Sequence, residues 1–155
     1  MIADVAELAD RPADDPAPRP NAEQPGLLDA GVDGLAFPDW SERGWRAVGM
    51  RRDEIDGRRA VTVRYRSGRR ALTYTIVAGA GHIDYGVPTV TRYRESRYGP
   101  KVELNAVSPA GGDTRVLAFK RRSRTVVMTT RDVDNAALRR MERLANWRAG
   151  GRLEY

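Results

Sequence analysis

Residues Val48–Ile76 read VGMRRDEIDGRRAVTVRYRSGRRALTYTI, three alternating runs separated by Asp56-Gly57 and Ser67-Gly68. Both dipeptides are two-residue hairpin signals, because they tolerate the left-handed backbone that a tight β-turn demands. Taken as tight turns, they predict a register. Around Ser67-Gly68, Val63 faces Leu72, Val61 faces Tyr74 and Tyr65 faces Arg70; around Asp56-Gly57, Met50 faces Val63 and Val48 faces Tyr65. One face then gathers Val48, Met50, Val61, Val63, Tyr65, Leu72, Tyr74 and Ile76. The other carries Arg51, Thr62, Arg64, Arg66, Arg69, Thr73 and Thr75. A one-residue slip would scatter the apolar set over both faces, so two turns agreeing on one face argue for a three-stranded meander.

Working outward, Gly79–Pro88 is loop-like. Strands are then expected at Thr89–Glu95, Val102–Val107, Thr114–Lys120 and Arg124–Thr130, the last rich in β-branched residues. Pro109–Asp113 reads as a hairpin loop, and Arg121–Arg124 as a charged turn. An amphipathic helix is expected over Asn135–Trp147, with Asp134 or Asp132 as N-cap and Gly150-Gly151 as its stop. Ala137, Leu138, Met141, Leu144 and Trp147 make its apolar stripe; Arg139, Arg140 and Arg143 lie towards the other side. The expected fold class is α+β: an antiparallel meander sheet of about six or seven strands packed by one C-terminal helix.

Upstream, residues 1–36 are rich in Ala, Asp and Pro, a composition that buries little apolar surface; they read as a linker or stalk, and residues 37–155 as a single domain. Residues 1–39 hold nine acids against Arg11 and Arg19, a net −7, so the remainder of this +6 chain carries +13. Only Lys101 and Lys120 among the 27 basic residues are lysine, an arginine bias of the kind GC-rich genomes produce. No apolar run is long enough to cross a membrane, and the N-terminus lacks the basic and apolar regions of a signal peptide. The chain has no cysteine and one histidine, His82, which excludes disulfides and thiolate zinc sites. His82, among glycines, reads as a loop residue.

Catalytic motifs are absent: there is no nucleophile elbow, P-loop, zinc-protease helix or dinucleotide fingerprint. No catalytic, metal-binding or cofactor-binding residue is expected, and no cofactor. Asp53, Glu54 and Asp56 read as a solvated hairpin tip among Arg51, Arg52, Arg58 and Arg59. Trp40, Trp45 and Trp147 read as core-closing rings. The candidate contact residues for a partner or polyanion are Arg51, Arg64, Arg66, Arg69, Arg70, Arg92 and Arg94, with Arg97 beside the last two, interleaved with Tyr65, Tyr93 and Tyr98. Charge for phosphates beside rings for stacking is the mixture nucleic-acid binders use. Cell-envelope polymers and anionic lipid heads match the same charge, and a solvated arginine face is the bland alternative.

FPDWSERGWRAVGMRRDEIDGRRAVTVRYRSGRRALTYTIVAG (Phe37–Gly79) resembles the opening of the C-terminal domain of bacterial membrane-anchored anti-sigma factors. RTVVMTTRDVDNAALRRMERLANW (Arg124–Trp147) is similar to its close, and together the two stretches bracket about 110 residues. The resemblance implies a non-enzymatic extracytoplasmic sensory domain on a membrane tether, signalling by protein or ligand contact. A sigma factor would be contacted only through an upstream zinc-associated module. That module and the membrane helix are absent from these residues, and the cysteine common in the family's closing strand is Val126 here. The implied location is the outer side of a bacterial cell membrane, or the cytoplasm if no upstream membrane helix exists. The alternatives are an arginine-rich module for nucleic acid or another polyanion, and a small enzyme.

Overall fold

The computed structural model describes residues 5, 8, 10–79, 90–96, 99–107, 113–122 and 124–148. His82, Pro88, Pro109, Arg97, Tyr98 and Gly150-Gly151 lie outside the described residues, as do the side chains of Arg92, Tyr93, Arg94 and Trp147. The described chain forms β1 (Leu27–Val32), β2 (Leu35–Pro38), a 3-10 turn (Ser41–Arg43), β3 (Arg46–Ile55), β4 (Arg58–Ser67) and β5 (Arg70–Val77). It continues with β6 (Val90–Ser96), β7 (Gly99–Val107), β8 (Asp113–Arg121), β9 (Arg124–Thr130) and the helix α1 (Asn135–Arg148). This is the expected α+β class. Seven strands form one antiparallel sheet in the order β3-β4-β5-β9-β8-β7-β6, with β1 and β2 as a separate hairpin. Two meanders therefore meet at the β5–β9 pair. No helix among the described residues is long and apolar enough to cross a membrane.

The β3–β4 turn is the expected one, with Asp56 at φ 51 and Gly57 at φ 69, the paired left-handed conformation of a type I′ turn. Met50 pairs with Val63 as expected. Val48 does not face Tyr65: the register shifts between Ala47 and Gly49, so Ala47 takes that place and Val48 is 48% exposed. A bulge inserts one unpaired residue and so reverses which side the strand presents. The β4–β5 register is corrected by two residues: Val63 pairs with Tyr74, Val61 with Ile76 and Tyr65 with Leu72. The turn is centred one residue later than expected, on Gly68 and Arg69, with Gly68 at φ 59 and Ser67 paired with Arg70. Because side chains alternate with period two, that slip leaves every one of these residues on its expected face.

The core lies between that face and a cover of two pieces. Met50, Val61, Val63, Tyr65, Leu72, Tyr74 and Ile76 join Leu117, Phe119, Val126 and Met128 from the sheet. Against them pack Leu138, Met141 and Ala145 of α1, and Leu28, Val32, Leu35 and Phe37 of the β1–β2 hairpin. Each large side chain so buried contributes about 1.5–3 kcal/mol. Asp134 caps α1, its Oδ1 accepting from the Ala137 amide at 2.7 Å. Asp132 instead accepts from the Ala71 amide at 2.9 Å and ties the helix entrance to β5.

The expected stalk is built into the fold along part of its length. Asp33 at φ 49 and Gly34 at φ 80 make the tight turn of β1–β2, and Leu27, Leu28, Val32 and Leu35 are buried. Upstream, Pro20 bridges Leu28, and Asp15 exchanges both backbone hydrogen bonds with Met50 at 2.9 and 3.1 Å. The residues around Leu27 and Leu35 are apolar enough to repay ordering, which the average over a proline-rich window hides.

Candidate functional site

The 3-10 turn sets two tryptophans at the junction of sheet and helix. Asp39 Oδ1 accepts from the Ser41 amide at 3.0 Å, Gly44 closes the turn at φ 80, and the Trp45 amide donates to the Trp40 carbonyl at 3.2 Å. Trp40 packs with its ring centroid 4.8 Å from Tyr65, and edge-on to Tyr74 at 5.8 Å. Between this turn and α1 runs a cavity of about 230 Å³. Trp40, Trp45 and Met141 line it with Arg43, Arg70 and Arg140. The Arg70 guanidinium sits 5.3 Å from the Trp45 ring centroid, a cation–π distance. The three arginines are exposed, and among the described residues no ion pair involves them. Trp40 Nε1 is buried and finds no hydrogen-bond acceptor among the described residues. The site thus offers an apolar floor and three cations. Such a surface suits a partner that is apolar and anionic together.

Beneath it the core is polar at selected points. Tyr65 donates its hydroxyl to the Pro38 carbonyl at 2.7 Å. Burial raises the Tyr65 pKa well above the ordinary range, with Tyr74 and Asp39 adding to the rise. Burial raises Tyr74 too, opposed by Arg121, whose Nη1 donates to the Tyr74 hydroxyl at 3.0 Å. Both phenols are held protonated as packing and hydrogen-bonding groups. Lys120 is pushed down by burial and then by Arg58, and its Nζ donates to Thr125 Oγ1 at 2.7 Å. Among the described residues, no three His, Cys, Asp or Glu side chains gather as metal ligands.

The opposite face of the sheet is lined with threonine. Thr62, Thr73, Thr75, Thr114, Thr125 and Thr129 are all buried there, and Thr130 is buried at the end of β9. Thr62 and Thr75 hydroxyls lie 2.8 Å apart, Thr73 and Thr129 hydroxyls 2.5 Å, and Thr130 donates to the Ala71 carbonyl at 2.7 Å. A groove of about 320 Å³ opens on this face between Arg64 and Arg131, with Asp10 and Asp132 at its edge.

The seven candidate arginines do not form one patch. Arg51 is buried, 2.7 Å from the Asp53 carboxylate, so the hairpin-tip acids include a partner for it. Arg64 borders the threonine groove and donates to the Arg11 carbonyl at 3.1 Å. Arg66 and Arg69 are exposed at the β4–β5 turn end, while Arg70 belongs to the tryptophan groove. Arg92 and Arg94 stand opposite Glu103 and Lys101 on β6, the far edge strand from β3. Sequence reasoning passed over Arg43 and Arg140, whose relation to Trp45 depends on how α1 lies across the sheet. It also passed over Arg131, and Asp10 of the leader. The usable signal was arginine close to tryptophan at Arg43 and Trp45.

No protein-family model matches this chain. No curated protein and no solved structure matches it either.

Proposed function

We propose that this chain is a non-enzymatic regulatory domain that acts by contact, the tryptophan groove being its contact surface. The proposal keeps the setting that the resemblance to anti-sigma-factor outer domains implies: the outer side of a bacterial membrane, on a tether encoded upstream. The observation that carries it is the groove itself, where Trp45 and Met141 meet three arginines unmatched by any described carboxylate. Surface arginines over an apolar floor are what interface anchors are made of. A fluorescent peptide carrying leucine on one helical face and glutamate on the other is the direct probe. It should bind with micromolar affinity and quench tryptophan emission, and Arg70→Ala with Arg140→Ala should weaken it about tenfold. Binding unchanged by that double substitution would overturn the assignment of the surface. A native gene with no membrane helix upstream would overturn the setting.

A second reading, polyanion binding, rests on a different observation. Arg46 and Arg66 are direct cross-strand partners, both exposed, with Arg69 exposed at the adjoining turn. Like charges placed opposite each other destabilise a sheet, and a bound anion relieves that. Single-stranded DNA should then bind with an affinity that falls steeply with salt, and should lose it in Arg66→Ala. No binding at low salt would remove this reading.

A further inference from the structure

The acidic leader crosses the threonine face of the sheet to the β3 edge through a small set of contacts. Asp10 accepts from Arg131 Nη2 through both carboxylate oxygens, at 2.9 and 2.8 Å. Asp15 pairs with Arg52. The carbonyls of Leu8 and Arg11 accept from Arg51 at 2.5 Å and from Arg64 at 3.1 Å. The backbone of Asp15 adds one antiparallel bridge to Met50 on β3, an edge strand of the sheet. Ala13 sits so near Gly49 that a Cβ there would stand 2.5 Å from its own.

We infer that a track across this face, from Arg131 beyond β9 past Arg64 on β4 to Arg51 and Arg52 on the β3 edge, is a docking site for an extended acidic peptide. Residues 10–15 of the leader occupy it in cis, as a strap that a partner's segment displaces. Three observations converge on an extended acidic occupant. An unpaired strand edge binds extended chain by adding a strand, and Asp15 already does so over one residue. Two of the cations, Arg131 and Arg52, meet carboxylates along the chain, and Arg51 and Arg64 meet its carbonyls. Among the described residues the strap also leaves the site incompletely satisfied: Arg51 is 6% exposed, yet its Nη1 finds no acceptor there. A segment bringing one more carboxylate here would engage a donor that the strap does not.

The strap is also built to be displaced. Its two carboxylate pairs are part-exposed, Arg52 at 62% and Asp15 at 35%, so water and salt compete with both. Behind it, Pro16, Pro18 and Pro20 lead to a fixed point, where the Asp29 backbone amide donates to the Arg19 carbonyl at 2.7 Å and Pro20 bridges Leu28. Ahead of it Val5 is buried, so residues 10–15 are the span that can lift between two anchored ends.

The test uses the full chain and, as probe, a labelled peptide with the sequence of residues 5–20, VAELADRPADDPAPRP. Asp10→Asn with Asp15→Asn weakens the strap but not the site, so the probe should bind roughly tenfold tighter than to wild type. Amide exchange at Asp15 and Met50, whose N–H groups hold the bridge, should quicken in the same variant. Adding Gly49→Ala should cancel the gain, because the new methyl meets only Ala13 and the Asp15 carbonyl, or their counterparts in the probe. Equal affinity for wild type and the double variant would overturn the strap. Affinity indifferent to Gly49→Ala would overturn the seat. Single-stranded DNA displacing the probe and binding the double variant more tightly than the probe does would overturn the peptide as its ligand.

Discussion

The two faces of the seven-stranded sheet are sealed by different chemistry. Towards α1 and the β1–β2 hairpin, tyrosine, phenylalanine, leucine and methionine interdigitate with tryptophan. On the far side, buried threonines exchange hydroxyl hydrogen bonds, and a thin acidic strand of leader crosses beside them. A β-branched threonine suits a strand as valine does, but it must spend a hydroxyl on a neighbour. The aromatic face is therefore closed by apolar area and shape. The threonine face buries Val77, Val116, Ala118 and Val127 as well, but part of its closure is hydroxyl pairing, and pairing can be exchanged for a better partner. That contrast explains why the proposed strap lies on the second face while the tryptophan groove sits where the first face ends.

The largest effects should come from the aromatic face. Leu117 and Val116 are neighbours on β8 that point to opposite sides, Leu117 being 1% exposed in the main core. Leu117→Ala should cost about 3 kcal/mol in urea denaturation, as large-to-small core substitutions do. A loss below 1 kcal/mol would mean that this face is not the main seat of stability. Alkaline pH attacks the same face. Tyr65 and Tyr74 have folded pKa values raised above the usual 10.0. Their contribution is complete below pH 10, where the unfolded phenols are also protonated. It is lost as pH rises above 10, because the unfolded chain then releases protons that the native core retains. Each phenol should cost about 1.4 kcal/mol per pH unit in that range. Tyr65→Phe should halve the slope, read from urea midpoints across alkaline pH. Phenolate absorbance of the native protein that shows every tyrosine titrating near 10 would refute the burial account.

Much of the aromatic face was legible because it is written locally. The Asp56-Gly57 turn and strict alternation identified the face of β4, β5 and β3 up to the bulge at Val48, and the slip at Gly68 moved the partners without moving the face. Asp33-Gly34 carries the same turn chemistry as Asp56-Gly57, and both adopt paired positive φ. It was passed over because the flanking strands are short and proline-rich sequence precedes them. The threonine face was half legible: Thr62, Thr73 and Thr75 were placed correctly, Thr114, Thr125 and Thr129 were given no face, and alternation cannot say what covers them. Arg51 reads as a solvated arginine until Leu8 and Asp53 are seen to surround it. The tryptophan groove could not be read at all, since Trp45, Arg70 and Arg140 meet only through the path of α1.

Intermediate effects should come from the threonine pairs. Thr73 and Thr129 are directly paired across β5 and β9, 6% and 2% exposed, with hydroxyls 2.5 Å apart. Thr129→Val keeps the shape and removes one partner, leaving the Thr73 hydroxyl buried; it should cost about 1–2 kcal/mol. The double replacement by valine removes both hydroxyls and should recover most of that loss. The double-mutant cycle is the measurement. Additive losses would show that the hydroxyls are not coupled, and would erase the distinction between the faces.

The smallest effect should be at the strap, and its smallness is the point. Asp15→Asn removes the ion pair with Arg52 but leaves the Asp15–Met50 backbone bridge intact. Exposed pairs contribute about 0.2–1 kcal/mol, and less as salt rises. Global stability should therefore fall by less than 1 kcal/mol, with the difference shrinking in high salt. Exchange of the Asp15 and Met50 amides should accelerate more than exchange in β5 and β9. A contact that is weak for folding but decisive for local opening is what a displaceable segment requires, since its release must not unfold the sheet beneath it. Were Asp15→Asn instead to cost as much as Leu117→Ala, the leader would be an integral part of the core cover. The second face would then be as permanently sealed as the first.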